Sequence, residues 1–432
     1  MQEQGLKRNF LWNTAGSLIY FAAQWLFTIL VWRLITGNAA AVGAGLLNTA
    51  TAVTNVFLSL ASYGMYSYQV SDMRQKYAQS AYVKSRAVTC AAAVALCGGY
   101  LLFNNSFGSS PYTLVQCVCI LLMLLFRMIE SVTDVYNAID QKHGRLDLVG
   151  KTYAARGVLS LAAFAGVLSV TGSMTLTLLC VVLVNLAFYF IYTKRKVKPF
   201  YTKQPVKLHT VGLLLWECAP LALYSFLNTT TTSIPKILLG QISGGNALGV
   251  YGSVTAPVLL LQVGATYLYT PFITVFADRY AARDKHGFYQ ALRSVFAIIA
   301  ALLPVGLLVS HFLGAWGLRT FVNASLESYQ YLLSPMVVSA VLTALVLFFS
   351  MILTVMRCMR GLILANIGGI LVSILVSAPM LRMFELQGAT YAMILALTVQ
   401  AVCLAGMIVY RARRYFSGGA QPPDSQTDGE EL

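Results

Sequence analysis

The sequence is short of charge. Only 10% of its 432 residues are Asp, Glu, Lys or Arg, whereas an ordinary soluble domain carries about 25%. A water-soluble fold of this length could not cover its surface with so few charges, so the composition excludes soluble enzymes and nucleic-acid-binding proteins. Apolar residues are abundant instead: they make up 58% of the chain, and the mean hydropathy is +0.69. These values predict a polytopic membrane protein.

Acidic residues are the scarcer of the two charge classes. The chain has 15 Asp and Glu against 30 Lys and Arg, a formal net charge of +15. The basic residues lie in short connections between apolar runs, where such residues set membrane topology and contact anionic headgroups. We therefore expect anionic membrane lipids as partners, and no nucleic acid.

The residues that build metal sites and catalytic sites are also few. There are eight cysteines and four histidines, and their spacing fits neither a zinc site nor a disulfide framework. No Walker motif is present, which excludes ATP hydrolysis on this chain. The longest outer connection, 313–327, holds no Ser/His/Asp set and no pair of closely spaced carboxylates. We predict no cofactor, no metal and no enzymatic activity.

Apolar windows of about 20 residues predict membrane-spanning helices, because a helix satisfies its own backbone in lipid. The first window is too long for a signal peptide and predicts a retained span. Twelve spans are predicted, at 10–35, 41–66, 87–104, 112–137, 153–171, 174–193, 211–237, 246–270, 290–311, 328–350, 360–381 and 387–410.

Basic residues fall in alternate connections between these spans. By this pattern Arg86 and Arg156 belong to the basic side, and few basic residues besides Arg319 and Arg382 belong to the other side. By the positive-inside rule both termini are cytoplasmic. The segment 416–432 is polar and acidic, which is typical of a disordered tail.

The chain shows an internal echo on either side of its most basic connection, 194–207. In the first half Asp72 precedes Tyr82-x3-Arg86, and in the second half Asp278 precedes Tyr289-x3-Arg293. The echo predicts two six-helix lobes, 1–200 and 201–415, related by a pseudo-two-fold axis along the membrane normal. Such repeats place a substrate site between the lobes. Chance similarity among apolar helices is the alternative.

Several motifs together resemble the polysaccharide (O-unit) flippases of the multidrug/oligosaccharidyl-lipid/polysaccharide exporter superfamily. The residues that carry the resemblance are the opening span 9–33 with Asn13, Gly16 and Gln24; Tyr68-Gln69-Val70-Ser71-Asp72; Phe126-Arg127-x2-Glu130-x3-Asp134-Val135-Tyr136; Gln141-Lys142-x2-Arg145-x-Asp147-x2-Gly150; Arg156-Gly157; Ser233-Ile234-Pro235-Lys236; and Leu248-Gly249-Val250-Tyr251-Gly252. The likeness extends to about residue 411.

The resemblance implies two six-helix lobes around a central cavity in the bacterial cytoplasmic membrane. It also implies transport of an undecaprenyl-pyrophosphate-linked oligosaccharide to the outer leaflet by alternating access, alongside other polysaccharide assembly proteins. Three different functions stay open: a cation-coupled multidrug exporter, a lipid II flippase and a non-transporting scaffold of a glycan assembly complex. Span one has no Asp or Glu, which counts against the exporter.

Two cations occupy matching places near the outer ends of spans one and seven. Arg33 and Lys236 facing one cavity would suit a pyrophosphate, which needs charge-assisted donors. Snorkelling to the outer headgroups is the alternative. The polar run 228–233, which begins at Asn228 and precedes Pro235, predicts a hydrated, broken helix there.

Span four carries three charged residues on one face. Arg127, Glu130 and Asp134 are spaced i, i+3 and i+7. Burying charge in a membrane is expensive unless the groups are paired or hydrated. The three residues therefore form an inner gate, or supply a carboxylate that exchanges protons, or form a self-compensating cluster that joins span four to its neighbours.

Two further polar positions complete the candidate set. Gln24 shares a face of span one with Asn13 and suits either a sugar-lined cavity or an interhelical hydrogen bond. Glu217 precedes Pro220 on span seven, and is either a coupling carboxylate or the partner of a basic residue such as those at 203–207.

Overall fold

The computed structural model describes residues 2–72, 76–108, 110–202, 204–258, 261–262, 264–265 and 272–417. Across these residues the chain is helical and has no strand, which confirms the predicted all-α class. Ten of the described helices are long and apolar enough to cross a membrane. The predicted tail lies almost wholly outside the described residues, and the predicted span 246–270 lies partly outside them.

Fourteen α-helices follow one another along the described chain. They are α1 (Gln2–Leu34), α2 (Asn38–Ser62), α3 (Met65–Ser71), α4 (Gln79–Phe107), α5 (Leu114–Lys142), α6 (Leu146–Thr171), α7 (Met174–Phe188), α8 (Lys194–Lys196), α9 (Leu208–Ile242), α10 (Gly245–Thr255), α11 (Phe272–Ala281), α12 (Lys285–Gly317), α13 (Leu333–Val355) and α14 (Met359–Phe416). A π-helical turn (Tyr189–Thr193) joins α7 to α8, and a second π-turn (Leu318–Val322) and a 3-10 helix (Ala324–Leu332) lie between α12 and α13.

The last helix is two helices in one. At Glu385 the backbone has φ +48° and ψ −123°, which interrupts the helical path. The arms on either side, 359–384 and 386–416, match the predicted spans 360–381 and 387–410. A total of twelve spans, and their grouping into two six-helix lobes, stay predictions.

The chain divides into two compact units. Unit 1 comprises 1–253 with 321–324, and unit 2 comprises 254–320 with 325–432. Helix α9 therefore lies in unit 1, although it follows the basic connection at which the sequence suggested a boundary.

In unit 1, glycines bring α1 and α6 backbone to backbone. A Cβ on Gly16 would lie 2.0 Å from the carbonyl oxygen of Gly150, and a Cβ on Gly150 would lie 2.0 Å from that of Trp12. Further along the seam, a Cβ on Gly157 would lie 3.0 Å from the Cα of Tyr20. Small residues allow close helix approach where lipid supplies no hydrophobic drive for association.

Three basic connections of unit 1 meet at one end, here named the basic end. The Ser80 hydroxyl donates to the Gln204 carbonyl at 2.9 Å, and Lys84 Nζ donates to the Val206 carbonyl at 2.9 Å. Lys142 Nζ donates to the Asp72 carbonyl at 2.7 Å. These bonds join the start of α4 to the residues just before α9, and the end of α5 to Asp72 after α3; the charge pattern predicts one shared side for these segments.

Helix α9 runs unbroken through Pro220 and Pro235, so the predicted break in the polar run is wrong. Two hydroxyls of that run bond within the helix: Thr231 donates to the Leu227 carbonyl at 2.8 Å and Thr232 to the Thr229 carbonyl at 3.1 Å. Such local bonds satisfy polar groups inside a transmembrane helix and let it tolerate proline.

Unit 2 is held by aromatic stacking and by a buried amide pair. Tyr280 of α11 stacks on Tyr415 of α14 with ring centroids 4.2 Å apart. Gln400 donates from Nε2 to Oδ1 of Asn366, so the two arms of α14 are bonded to each other inside the core.

Candidate functional site: a buried charge cluster in unit 1

The first part of the cluster joins α5 to α1. Arg127 Nη1 lies 2.9 Å from Glu130 Oε2 on the same helix and 3.2 Å from Gln24 Oε1 on α1. The Tyr20 hydroxyl of α1 donates to Glu130 Oε1 at 2.8 Å. Gln24 of α1 thus lies beside the Arg127–Glu130 pair of α5, a contact that the sequence did not predict, and Tyr20 is an additional member.

Asp134 extends the cluster by one turn of α5. Its Oδ1 accepts a hydrogen bond of 3.0 Å from the hydroxyl of Tyr153, which lies on α6. The ring of Tyr153 lies 5.5 Å from the ring of Tyr20. The two tyrosines thus hold the two α5 carboxylates against the glycine-lined seam between α1 and α6.

Arg156 of α6 is a deeply buried cation near these carboxylates, with 1% of its surface exposed. Its Nε donates to Asn185 Oδ1 at 3.1 Å, and Asn185 Nδ2 donates to the Ser160 hydroxyl at 2.8 Å. The guanidinium lies 5.5 Å from the ring centroid of Tyr20. Neither Nη atom has a hydrogen-bond partner among the described residues.

Arg86 of α4 is the third buried arginine of unit 1, also 1% exposed. Its Nη1 donates to the Ser131 hydroxyl at 3.0 Å and to the carbonyl of Ala61. The predicted span 87–104 excluded Arg86, which is corrected here, whereas the predicted span 153–171 included Arg156; the assignment of both arginines to the basic side stays a prediction. Helices α4 and α6 begin at Gln79 and Leu146, so both side chains lie inside helices and face protein.

The cluster carries a net positive formal charge. Three guanidinium groups stand against two carboxylates, those of Glu130 and Asp134. Besides both Nη atoms of Arg156, buried donors without a partner among the described residues are Nε of Arg86, Nε of Arg127 and Nε2 of Gln24. Unpaired buried donors are costly unless an acceptor or water meets them. The arrangement can therefore bind an anionic, acceptor-rich group.

Glu217 is not part of this cluster. It lies near the basic end, where its Oε1 is 2.7 Å from Lys76 Nζ and 2.8 Å from the Tyr77 hydroxyl, and where Tyr68 donates to Oε2. The described basic partner is thus Lys76, in the connection after α3. Burial, together with the bond to Glu217, raises the pKa of Tyr77 to about 12.

Arg33 lies along α1 from Gln24, whereas Lys236 and Asn228 lie on a different helix, α9. Arg33 is exposed in the last turn of α1, nine residues beyond Gln24 and so about 13 Å further along the helix. Lys236 and Asn228 are half-buried on α9. Whether Arg33 and Lys236 face one cavity stays a prediction.

Four members of the cluster were missed by the sequence reasoning: Tyr20, Arg86, Tyr153 and Arg156. The two arginines had a usable signal, because each lies within a long helical pattern and not in a connection. The tyrosines had none, since a single tyrosine in an apolar span is ordinary core material.

No protein-family model matches the chain. Its fold is that of transporters of the MOP superfamily. A multidrug resistance MATE family transporter of the MOP superfamily, in an inward-facing conformation, superposes on this chain with a TM-score of 0.66. The two are 14% identical, and the superposition covers 92% of this chain and 96% of that one. At this identity the similarity establishes the fold and not the substrate.

One further solved structure and one protein of known sequence are also similar to this chain. The lipid II flippase MurJ, in its inward closed conformation, superposes with a TM-score of 0.67 at 11% identity, over 94% of this chain and 90% of that one. The "Capsular polysaccharide biosynthesis protein CapF" of Staphylococcus aureus is 25% identical over 202 residues, which are 45% of this chain. The matched part is 50% of that protein, so the chain spans about half the length of this relative.

Proposed function

We propose that this protein is a flippase that moves an undecaprenyl-pyrophosphate-linked oligosaccharide from the cytoplasmic to the outer leaflet of a bacterial cytoplasmic membrane. The observation that carries the proposal is the net-positive buried cluster, with both Nη atoms of Arg156 lacking a partner among the described residues, inside a transporter fold. The partial similarity to a capsular polysaccharide biosynthesis protein supports a glycan substrate. Both termini lie in the cytoplasm, and polysaccharide assembly proteins supply or consume the substrate.

The pyrophosphate meets the donors of Gln24, Arg127 and Arg156. A guanidinium suits this task because its planar fork of N–H groups matches phosphate oxygens. Glu130 already binds Arg127 at 2.9 Å, so the pyrophosphate competes with Glu130 for that cation. The competition gives Glu130 and Asp134 a coupling role, in which a proton taken up by a carboxylate frees a guanidinium for the substrate.

The remaining candidates act away from the cluster. Arg33, Asn228 and Lys236 bind the headgroup on the outer part of its path. Glu217 acts as a latch at the basic end, because its bonds to Lys76, Tyr68 and Tyr77 join α9 to the segment that follows α2. This latch closes the cytoplasmic end between transport cycles.

A cation-coupled multidrug exporter is the second candidate, because multidrug transporters share the fold. The apolar part of α1 offers no carboxylate to a cationic drug, and the cluster is positive, so a cation is repelled from it. Lipid II is a competing substrate for a flippase of this fold, and a scaffold in a glycan assembly complex is a competing role without transport.

The test is mass spectrometry of lipid extracts from cells depleted of this protein and carrying either wild type or a variant. Arg156→Gln removes the buried cation, and Arg382→Gln is the matched control because Arg382 is exposed in α14. We expect one complete polyprenyl-linked oligosaccharide to accumulate in depleted cells and in Arg156→Gln cells, and not in the control. An immunoblot of membranes establishes that each variant is present at wild-type level.

Ethidium sensitivity of the same cultures separates the flippase from the exporter and the scaffold. Heightened sensitivity without any accumulated lipid-linked sugar would replace the flippase with the exporter. Accumulation of lipid II alone would change the substrate. Normal lipids and normal drug sensitivity after depletion would leave the scaffold as the better explanation.

A further inference from the structure

The two carboxylates of the buried charge cluster are bonded differently. Both oxygens of Glu130 are occupied, because Oε1 accepts the Tyr20 hydroxyl at 2.8 Å and Oε2 lies 2.9 Å from Arg127 Nη1. Asp134 accepts from the Tyr153 hydroxyl at 3.0 Å through Oδ1, and its Oδ2 has no hydrogen bond among the described residues. Glu130 is therefore held as the charged partner of Arg127, whereas Asp134 keeps an oxygen that can receive a proton.

The cations near Asp134 are bonded to other groups. Two arginines interact with it electrostatically, but neither forms an ion pair with it within the described part of the chain. Arg86 of α4 donates to the Ser131 hydroxyl, and Arg156 of α6 donates to Asn185 of α7. Loss of the negative charge of Asp134 therefore leaves these hydrogen bonds in place.

Asp134 lies one turn along α5 from a second negative charge, that of Glu130. Side chains at i and i+4 are about 5–6 Å apart, and two carboxylates this close favour protonation of one of them. The ion pair and the tyrosine bond stabilise the charged form of Glu130, so a proton that enters the cluster goes to Asp134. The tyrosines around it, Tyr153 of α6, Tyr66 of α3 and Tyr20 of α1, keep their own protons at neutral pH.

Partly accessible polar side chains lie between Asp134 and the basic end. Asp134 is half-buried, and its Oδ2 is not among the cluster atoms that are closed to solvent. Gln141 lies seven residues further along α5, on the same face and about 10 Å nearer the basic end. It accepts a hydrogen bond from the Tyr66 hydroxyl, and both side chains are half-buried. Water that follows these groups can bring a proton to Asp134.

We propose that Asp134 is the proton-exchanging carboxylate of the cluster, and that its protonation from the basic end strengthens binding of an anionic headgroup at Arg127. The proton adds to Oδ2 and later leaves from the same atom to water, while the Tyr153 hydroxyl keeps its proton and its bond to Oδ1. Protonation removes one negative charge from a cluster that is already positive. The coupling to a headgroup rests on the proposed function, which gives both carboxylates this role, whereas the bonding pattern assigns it to Asp134.

Infrared difference spectroscopy of the purified full-length protein in detergent micelles detects the proton directly, because a protonated carboxyl group has a carbonyl stretching band that a carboxylate lacks. Between neutral and mildly acidic pH, the wild-type spectrum should contain a band that Asp134→Asn lacks. The double variant Arg127→Met/Glu130→Gln should keep the band, since it removes the neighbouring ion pair without leaving a single charge. Asp278→Asn is the matched control, because it makes the same substitution at an exposed carboxylate of α11.

Two further measurements secure the assignment. Asp134→Glu retains a carboxyl group and should shift the band instead of removing it, which tests the assignment even if Asp134→Asn does not fold. In D2O the band should move to lower frequency, because an accessible carboxyl group exchanges its proton. A wild-type band that neither Asp134 variant alters, a band that the double variant removes, or a band that D2O leaves in place would overturn the proposal.

Binding of a lipid-linked probe to the same preparations tests the coupling. The probe is undecaprenyl-pyrophosphate-linked N-acetylglucosamine, measured by calorimetry, and its pyrophosphate diester keeps its charge over this pH range. We expect wild-type affinity to fall about tenfold as the pH rises and Asp134 loses its proton, within the range of about 5–150-fold that is typical of coupled sites. Asp134→Asn should bind equally at every pH, near the acidic wild-type value, and Asp278→Asn should follow wild type. Absence of binding, wild-type affinity that is constant with pH, or equal pH dependence in wild type and Asp134→Asn would overturn the coupling.

Failure of this inference is separable from failure of the proposed function, because the infrared measurement uses no substrate. A protein whose depletion leaves lipid extracts unchanged, yet whose Asp134 band is present, retains the proton site and loses the flippase. Accumulation of lipid-linked sugar in depleted cells, together with a spectrum without an Asp134 band, retains the flippase and loses the proton site.

Discussion

The seam between α1 and α6 gives a sharp prediction about stability. In Gly150→Ala the new Cβ would lie 2.0 Å from the carbonyl oxygen of Trp12, whereas ordinary van der Waals contact begins near 3.4 Å. The obstructing atom is backbone, so no side-chain rotation relieves the clash. The two helices must separate by about 1.4 Å at this point, or the substituted helix must bend.

The magnitude follows from what the separation disrupts. Inserting a methyl group into a well-packed contact costs about 1–3 kcal/mol, which for a unit of about 250 residues lowers Tm by roughly 2–12 °C. The ring contact of Tyr20 with Tyr153 crosses the same seam, and the same Tyr20 donates to Glu130 of α5. We therefore expect Gly150→Ala to loosen the charge cluster as well as the helix pair.

The assay is thermal unfolding of the detergent-solubilised protein, followed by loss of the monodisperse size-exclusion peak. Gly166→Ala is the matched control, because Gly166 lies on the same helix and a Cβ there meets nothing within 4 Å. Alanine is the better helix former by about 0.5–1 kcal/mol, so the control should match or exceed wild type. Equal stability of Gly150→Ala and Gly166→Ala would refute the close approach of α1 to α6.

Two further predictions concern charged groups. Glu130→Gln and Arg127→Met should each destabilise the protein by about 3–5 kcal/mol, because each leaves a buried charge without its partner. In thermal unfolding the double variant should lose less than the sum of the single variants, and additive losses would contradict the pairing. At the basic end, burial raises the pKa of Asp72, but hydrogen bonds from Lys76, Tyr82 and Tyr77 outweigh it and leave the pKa below its ordinary value of 3.8. The stability that Asp72 contributes is therefore present above that value and lost as the pH falls through the lowered pKa. The difference in Tm between wild type and Asp72→Asn should shrink between pH 5 and pH 3, and a constant difference would refute this.

The sequence predicted those parts of the fold and site that depend on one helix at a time. The spacing of Arg127, Glu130 and Asp134 placed them on one face, because helical periodicity is local. Hydropathy found the apolar helices for the same reason. The sequence predicted a separate helix for each arm of α14, and the backbone interruption at Glu385 agrees with two helices; their count as two spans stays a prediction.

What the sequence could not supply is the identity of partners that lie far apart along the chain. Glu217 bonds Lys76, which is 141 residues away, and no local pattern selects Lys76 over the lysines close to residue 207. Tyr20 reaches Glu130 across 110 residues. Hydropathy also starts a span where apolar residues become dense. Arg86 was therefore excluded from a helix that begins seven residues earlier, at Gln79.

The sequence echo between the two halves has different structural consequences in each. In unit 1 the Tyr82 hydroxyl donates to Asp72 and Arg86 is buried against Ser131. In unit 2 the corresponding Asp278 and Arg293 are both exposed. A buried arginine at membrane depth costs several kcal/mol unless it is bonded, whereas an exposed one at a helix end costs little. The described buried polar residues of unit 2 are neutral hydroxyls and amides, such as the Asn366–Gln400 pair. In the proposed flippase, electrostatic selection of an anionic headgroup would therefore fall to unit 1, and a sequence repeat alone does not imply that both units contribute equally to substrate binding.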